Sequence, residues 1–117
     1  MPVKISAACW YLYVVATVDG CFYAGITTNV LRRYAEHTEQ GSRSAKYLRA
    51  HKPGRLVFRQ AIGPRSLALK VENRFKRLPR AAKAAIVEAG YLIIEGPSGR
   101  IRLPRKDADS HAVRPKI

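Results

Sequence analysis

Residues 10–26, WYLYVVATVDGCFYAGI, decide the start of the fold. Their first part, WYLYVVATV at 10–18, consists of β-branched and aromatic residues with almost no polar break, which is typical of a strand buried on both faces. Asp19 and Gly20 favour the positive φ angles of a tight turn. Residues 21–26 can then return as a partner strand. The stretch therefore predicts a β-hairpin.

A helix is predicted directly after the hairpin. Residues 27–29, TTN, offer side-chain oxygens that can cap a helix N-terminus. The helix-spaced residues that follow, before Gly41, are Val30, Leu31, Tyr34, His37 and Thr38. The segment 41–54 is polar and basic, and both a short helical turn ended by Pro53 and a positively charged loop fit it.

One strand and two helices are predicted next. Residues 55–62, RLVFRQAI, alternate well enough for a third strand, which the Gly-Pro pair at 63–64 ends. Ser66 can cap a following helix. The apolar face of that helix consists of Leu67, Val71, Phe75 and Leu78. Residues 80–89, RAAKAAIVEA, predict another helix, closed by Gly90.

The order of these elements defines the expected fold class. The order ββαβαα is that of an α+β fold, with a small central three-stranded antiparallel sheet flanked by helices. Residues 91–95, YLIIE, fit either a short strand or a segment packed against the body.

The charge balance of the chain is unusual. Its 117 residues are enough for one domain, and 47% hydrophobic residues exclude a wholly disordered chain. Against 8 Asp and Glu stand 22 Lys and Arg, which leaves a net charge of +14. This excess favours a polyanionic partner, nucleic acid first and an anionic membrane surface second, over a cationic surface kept only for solubility.

The basic excess is shared between two parts of the chain. Residues 97–117 hold six Lys or Arg and two Asp, which contributes +4 and leaves +10 for residues 1–96. Pro, Gly and charge dominate after residue 96. We therefore expect a folded domain over 1–96 and a basic, flexible C-terminal tail over 97–117.

The apolar runs and the cysteines of the sequence indicate in which cellular compartment the protein is expected. The longest nearly apolar run, 7–18, has 12 residues, too short for the roughly 20 that span a bilayer. Its bulky aromatic residues and the turn after it disfavour a signal peptide. Cys9 and Cys21 are too few for a disulfide framework and lack metal-site spacing. Buried, reduced thiols in a cytoplasmic protein, without a membrane partner, are therefore expected.

Candidate catalytic residues are distributed over the predicted strands and the first predicted helix. Tyr13 falls on the first strand, Tyr23 and Gly25 fall on the second, and Arg33 and His37 share one face of the first helix. Taken singly, each also fits a structural role, such as strand core, a solvated helix residue or a local hydrogen bond.

A single acid stands out in the later helix. Glu72 is the only acid between Glu39 and Glu88. It fits a surface ion pair with Lys76 at i, i+4 or a metal ligand.

The joint spacing resembles the GIY-YIG endonuclease superfamily, particularly its small stand-alone bacterial members, over roughly residues 10–87. Tyr11-Leu12-Tyr13 corresponds to the first signature tripeptide and Tyr23-Ala24-Gly25 to the second. Arg33 follows Tyr23 by ten residues and His37 follows Arg33 by four, as the family pattern requires. The segment ALKVENRFKRLPR, from Ala68, is similar to the family's glutamate helix and supplies Glu72. Tyr11 and Ile26 stand where better-known members carry glycine and lysine.

The resemblance implies a metal-dependent endonuclease that hydrolyses phosphodiester bonds in DNA. Glu72 would hold Mg²⁺ or Mn²⁺, which keeps several waters and takes its other ligands from phosphate. Arg33 would hold the scissile phosphate with its planar fork. Tyr23 would be the general base or would orient the attacking water; since a free phenol has a pKa of about 10, nearby cations or a base must help it.

The resemblance gives the other members of the site supporting roles. Tyr13 would orient Tyr23 or the water. Gly25 would let backbone or phosphate approach where a Cβ would collide. His37 is left with three roles: a phosphate contact, a second base or a scaffold residue.

A basic stripe, defined as Arg43, Lys46, Arg49, Lys52 and Arg55, would hold the substrate backbone without reading its sequence. The expected substrate is branched, damaged or single-stranded DNA in repair or recombination. Two alternatives remain open: a non-catalytic nucleic-acid-binding module on the same scaffold, and a nuclease that acts on RNA, since no residue plainly selects against a 2′-hydroxyl.

Overall fold

The computed structural model describes residues 8–39 and 45–104, apart from the side chain of Arg49. The elements are β1 Trp10–Thr17, β2 Phe22–Thr27, α1 Val30–Glu39, α2 Lys46–Ala50, β3 Pro53–Gly63, α3 Arg65–Lys76, α4 Arg80–Ala89, β4 Ile93–Glu95 and β5 Arg100–Arg102. The predicted α+β fold class is confirmed. To the predicted order ββαβαα the structure adds α2 and the pair β4–β5.

The first strand lies at the centre of the main sheet. The sheet is antiparallel with the order β2-β1-β3, so that β1 is paired on both sides. This explains why its sequence carries almost no polar residue. The hairpin between β1 and β2 turns at Gly20, whose φ of 87° is the positive angle predicted from the Asp-Gly pair.

The two faces of the sheet have different compositions because neighbouring residues of a strand point to opposite sides. One face packs under α3 and α4 and contains Leu12, Val14, Ala24 and Phe58. The other face meets α1 through Val30 and contains Tyr11, Tyr13, Val15, Tyr23 and Leu56. The tyrosines of the sequence pattern therefore share one face, which we call the tyrosine face.

Helix boundaries follow the sequence with one exception. Asn29 caps α1, since its Oδ1 accepts the backbone N–H of Arg32 at 3.1 Å. The predicted cap by Ser66 is wrong, because α3 begins at Arg65 and its N-cap is Pro64, without a side-chain hydrogen bond. Proline already has the φ that suits a helix start, so the chain turns helical before Ser66.

Two open points of the sequence are resolved by the described residues. Of the helical turn and the loop that both fit 41–54, the helical turn is present as α2, although 40–44 lie outside the described residues. Of the two interpretations of 91–95, the strand is present as β4.

A second, two-stranded sheet follows α4. Strand β4 pairs with β5, and the turn between them is held to α3, because Lys70 Nζ and Arg74 Nε donate to the carbonyls of Pro97 and Ser98. Residues 97–104 thus contain a strand, although the sequence places the start of the flexible tail at 97. Residues 105–117 lie outside the described residues, so the tail and the domain limit at 96 stay predictions.

Within the described residues, none of the helices has the length and apolar character needed to cross a membrane.

Candidate active site

A buried hydrogen bond joins the first strand to the first helix. The Oη of Tyr13 lies 2.9 Å from the Nε2 of His37, and both side chains are buried. The other ring nitrogen, Nδ1, accepts the backbone N–H of Ala45 at 3.3 Å. An N–H donor requires a lone pair on Nδ1, so the neutral imidazole carries its proton on Nε2 and donates it to Tyr13.

Two more side chains reach the hydroxyl of Tyr13. Arg33 and Tyr23 both lie close enough to influence its protonation, and the rings of Tyr13 and Tyr23 are 6.3 Å apart between centroids. Because Tyr13 Oη accepts a hydrogen bond from His37, the proton of Tyr13 is available to another acceptor. The predicted residues Tyr13, Tyr23, Arg33 and His37 thus form one connected group, which we call the tyrosine network.

Burial keeps the inner members of the network uncharged. Burial, with a smaller contribution from Tyr23, raises the pKa of Tyr13 far above its ordinary value. Burial, reinforced by the charge of Arg33, lowers the pKa of His37 to about 4. At neutral pH His37 is therefore a neutral hydrogen-bonding residue, with both nitrogens engaged. Of its three predicted roles, this favours the scaffold role.

Gly25 makes room for this network. It pairs directly with Tyr13 across the strands, and a Cβ at Gly25 would lie 2.6 Å from Tyr13 Oη and 2.8 Å from Tyr13 Cζ. The sequence assigns this space to an approaching backbone or phosphate, whereas the structure fills it with the end of the Tyr13 ring.

Arg33 is held at the edge of the network. Its Nη1 lies 2.9 Å from the Oε1 of Glu36, one turn further along α1. Its side chain is partly exposed, so the guanidinium stands between the buried phenol and solvent. A cation in this place favours negative charge near the two hydroxyls.

Aromatic rings continue outward from Tyr23. The ring of Tyr47 on α2 stacks on Tyr23 at 5.8 Å between centroids and 23° between planes, and His51 stacks on Tyr47 at 4.4 Å and 22°. His37 meets Tyr23 edge-on at 5.6 Å. Tyr23 is half-buried and lies between the buried network and the exposed side chain of Tyr47.

Glu72 lies apart from this stack. It stands on α3, which packs against the face of the sheet opposite to the tyrosine face. Its side chain is 14% exposed, and its Oε2 lies 3.2 Å from Lys76 Nζ. The ion pair that the sequence offers as one alternative is therefore present. A half-buried carboxylate with a second oxygen outside this contact also fits an ion that binds one carboxylate and keeps its waters.

The members of the basic stripe that the structure describes are on the surface. Lys46, Lys52 and Arg55 are exposed. Arg43 and the side chain of Arg49 lie outside the described residues. The use of the stripe in binding stays a prediction.

Sequence reasoning missed Arg59. It is exposed on β3, directly across from Tyr13, and with Tyr11 and Asn29 it lines a cavity of about 350 Å³ beside the start of α1. Neither Tyr23 nor Glu72 lines this cavity. The signal was the period-two alternation of β3, which puts Arg59 and Phe58 on opposite faces.

Sequence reasoning also missed a cluster at the β1–β2 turn. One ligand atom each of Asp19, Cys21 and His51 lies within 4.8 Å of the other two. Both cysteines are free, but Cys9 is exposed and Cys21 is half-buried, so the expectation of buried thiols is wrong. Spacing along the chain could not reveal the cluster, because His51 is supplied by a distant segment.

Comparison with known proteins identifies a family and several similar proteins. The family described as GIY-YIG catalytic domain matches residues 9–85. A UPF0213 protein from Citrobacter koseri is 46% identical over 81 residues, which cover 69% of this chain and 79% of that protein. The UPF0213 protein YhbQ of Salmonella typhimurium is 45% identical over 78 residues, 67% of this chain and 76% of that protein. No solved structure gives a significant match.

The family match spans both tyrosine strands, α1 and all of α3, which are the elements that carry the predicted site. It also covers more than half of the chain, and the UPF0213 relatives align over most of their own length. The chain therefore belongs to the GIY-YIG family, a family of nucleases.

Proposed function

We propose that this protein is a metal-dependent endonuclease that hydrolyses phosphodiester bonds in DNA, and that it serves repair or recombination in the cytoplasm. The observation that carries the proposal is the tyrosine network. It holds one half-buried phenol, Tyr23, against the rings of Tyr13 and His37, with the guanidinium of Arg33 near the Tyr13 hydroxyl. Such an arrangement prepares an oxygen to receive a proton from a water molecule.

Tyr23 is the acceptor of that proton once its own proton has passed to solvent, and Tyr13 is its positioning residue. A hydrogen bond donated by Tyr13 would stabilise the negative charge of the Tyr23 phenolate until the proton of the attacking water neutralises it. Tyr13 keeps its own proton, because burial raises its pKa. Burial therefore divides the roles of the two phenols: the half-buried Tyr23 exchanges protons, and the buried Tyr13 does not.

Arg33 binds the scissile phosphate in this proposal. Its planar fork can hold two non-bridging oxygens and neutralise the charge that builds on them during attack. Because Arg33 also contacts Tyr13, the phosphate and the proton acceptor are held at a common place. An arginine that pointed from a helix into solvent could bind a phosphate but would not hold it near the proton acceptor.

Glu72 supplies the site for Mg²⁺ or Mn²⁺. Lys70 and Arg74 bond the β4–β5 turn, and at about 100° per residue Glu72 lies roughly opposite to them around α3. Gln60 of β3 bonds Leu92, so the hairpin segment begins on the β3 side of the sheet. The flank with Glu72 then faces the other edge.

That other edge is β2, which carries Tyr23 and Gly25 and against which α3 packs. Since β2 is an edge strand of the sheet, we propose that one phosphodiester bound at this edge contacts Glu72 from one face and Tyr23 from the other. A bound divalent ion would stabilise the charge of the leaving oxygen.

Substrate backbone would bind over α2. Lys46 and Lys52 are exposed at its two ends, and Tyr47, next to Lys46, stacks on Tyr23. Cations bind the phosphates of a nucleic-acid strand, and an exposed aromatic ring stacks with its unpaired bases. A surface that offers both suits such a strand. This favours DNA with unpaired bases over a regular duplex.

The test is a titration of cleavage with Mg²⁺ and with Mn²⁺ on duplex, flap, junction and single-stranded DNA and on matched RNA. We expect metal-dependent nicking of DNA. The variant Glu72→Gln should lower the rate at least 100-fold and leave binding nearly intact, because it removes a metal ligand and little bulk. The matched variant Glu88→Gln, an exposed carboxylate on α4, should keep full activity.

Each alternative has its own outcome in this assay. Salt-sensitive binding without cleavage under any metal would establish the binding module, and cleavage of RNA alone would establish the RNA nuclease. Full activity in carefully purified Glu72→Gln would refute the metal assignment. For Arg33→Ala we expect loss of turnover; a loss of affinity alone would make Arg33 a docking residue.

A further inference from the structure

We propose that Asp19, Cys21 and His51 form a binding site for a borderline transition-metal ion of the Zn²⁺ class, separate from the proposed nuclease site. Asp19 and Cys21 come from the β1–β2 turn, and His51 follows the last residue of α2. A carboxylate oxygen, a thiol sulfur and an imidazole nitrogen lie within 4.8 Å of one another. The inference does not rest on the proposed function.

The turn holds two of the three ligands in place. The hydroxyl of Thr17 donates to Asp19 Oδ1 at 2.6 Å, and the backbone N–H of Cys21 donates to Thr17 Oγ1 at 2.9 Å. Thr17 is itself buried. Ligands that are fixed by hydrogen bonds to a buried partner lose little freedom when an ion binds.

The second oxygen of Asp19 faces the histidine. Asp19 Oδ2 lies 2.8 Å from His51 Nδ1. Bonds of about 2.0–2.2 Å at tetrahedral angles separate an oxygen and a nitrogen ligand by about 3.3 Å. The ion can therefore take the place of the proton between Asp19 and His51 after a small outward movement of either side chain.

The donor set selects the kind of ion. Thiolate and imidazole are ligands of Zn²⁺ and its neighbours, whereas Mg²⁺ prefers oxygen ligands. Three protein ligands leave a fourth position for water. Binding releases the proton of the Cys21 thiol, and the proton between Asp19 and His51 moves to the other ring nitrogen of His51. One thiolate and one carboxylate then balance the two charges of the ion.

The site is connected to the aromatic stack of Tyr23. The phenol of Tyr47 lies close enough to Cys21 for the two groups to influence each other's protonation, and its ring stacks on those of Tyr23 and His51. An ion that joins the turn to His51 would clamp the end of α2 to the β1–β2 hairpin. The clamp would thereby hold Tyr47 against Tyr23.

Co²⁺ is the probe for this site, since its absorption reports both tetrahedral geometry and a sulfur ligand. We expect one Co²⁺ per chain, with a thiolate-to-cobalt charge-transfer band that stoichiometric Zn²⁺ abolishes. Cys21→Ser should remove the band and weaken binding at least 10-fold. Cys9→Ser is the matched control, because Cys9 is exposed and outside the cluster, and it should keep both band and affinity.

Further variants separate this site from folding and from nuclease function. His51→Gln should also weaken Co²⁺ binding at least 10-fold, and circular dichroism verifies that each variant is folded. Glu72→Gln should bind Co²⁺ at the cluster as the unmodified protein does, even where it cleaves nothing. A folded protein without the charge-transfer band, a band that persists in Cys21→Ser, or unchanged Co²⁺ affinity in His51→Gln would overturn the proposal.

Discussion

His37 is a histidine whose chemistry is set by where it is buried. It donates to Tyr13, accepts from the backbone of Ala45 and has no exposed surface. Protonating such a ring places a charge in a buried site and breaks the bond that Ala45 donates. The imidazole is therefore a neutral spacer between α1 and β1.

The stability of the protein should depend on pH through His37. Its pKa falls from an ordinary 6.5 to about 4 on folding, so between these values the unfolded chain binds more protons. Stability should decrease as the pH falls from 6.5 towards 4, by up to about 3 kcal/mol. Urea unfolding between pH 4 and 8 measures this.

One variant isolates the contribution. His37→Gln lacks the titrating ring and should show a flatter dependence of stability on pH over this range. Parallel curves for His37→Gln and the unmodified protein would contradict the prediction.

The residues of the tyrosine network were largely predictable, and those of the turn cluster were not. Tyr13 and Tyr23 meet because a tight turn joins their strands, and Arg33 and His37 because four residues make about one helical turn. His51 lies 32 residues after Asp19, and its position depends on the path through 40–52. No local pattern encodes that distance.

At the scale of elements, the packing of the site depends on how β1 pairs with β2. Gly25 is the residue across from Tyr13, and the missing side chain is what lets the buried phenol lie over β2. Local propensity does not favour glycine in a strand. Its presence there is explained by the partner strand.

Gly25→Ala should therefore destabilise the protein and impair cleavage together. The added methyl group would overlap Tyr13, which is too buried to move freely, at a cost of about 1–3 kcal/mol. Thermal unfolding and the cleavage assay measure the two effects. In a Tyr13→Phe background the nearest atom is gone, so the same substitution should cost less. Equal costs in both backgrounds would show that Tyr13 is not the obstacle.

The hairpin β4–β5 was only half predictable. Ile93 and Ile94 are apolar enough to indicate a strand, but Arg100 and Arg102 flank Ile101 with charges that are typical of a solvated tail. Strand β5 can be recognised only from the folded structure, where it pairs with β4. There Ile101 packs against the core and the turn is bonded to α3.

A truncation series tests the importance of this hairpin. A chain that ends at Gly96 loses β5 and exposes Ile94, and it should be less stable by about 1–2 kcal/mol. A chain that ends at Pro104 keeps the hairpin and should match the full chain. Chemical unfolding of both chains decides the matter, and equal stability of the two would mean that β5 adds nothing.

For the whole molecule, charge is distributed over a body that has two dissimilar sides. The net charge of +14 was evident from composition, but which cations would touch a substrate was not. The structure puts Lys46 and Lys52 on the side of α2 and Tyr47, and Arg77 at the end of α3 on the other side of the sheet.

Alanine substitutions on the two sides of the sheet should therefore have different effects on the salt dependence of DNA binding. Each phosphate contact contributes about 0.9 to the slope of log K against log salt, and six contacts would give about −5. The pair Lys46→Ala and Lys52→Ala should reduce the slope by about 2. Arg77→Ala with Arg100→Ala, matched in charge, should leave it nearly unchanged. Equal losses in both pairs would mean that net charge alone governs binding.

The alternation along β1 has a consequence for how this protein can vary. Even-numbered positions such as Leu12 and Val14 pack under α3 and α4, and odd-numbered positions such as Tyr13 belong to the tyrosine face. Inserting or deleting one residue there would exchange the two sets, placing phenol hydroxyls in the apolar core under α3 and α4 and aliphatic side chains on the tyrosine face. Tolerated changes must come one side chain at a time, and shifts of frame within this strand are closed to evolution and to engineering alike.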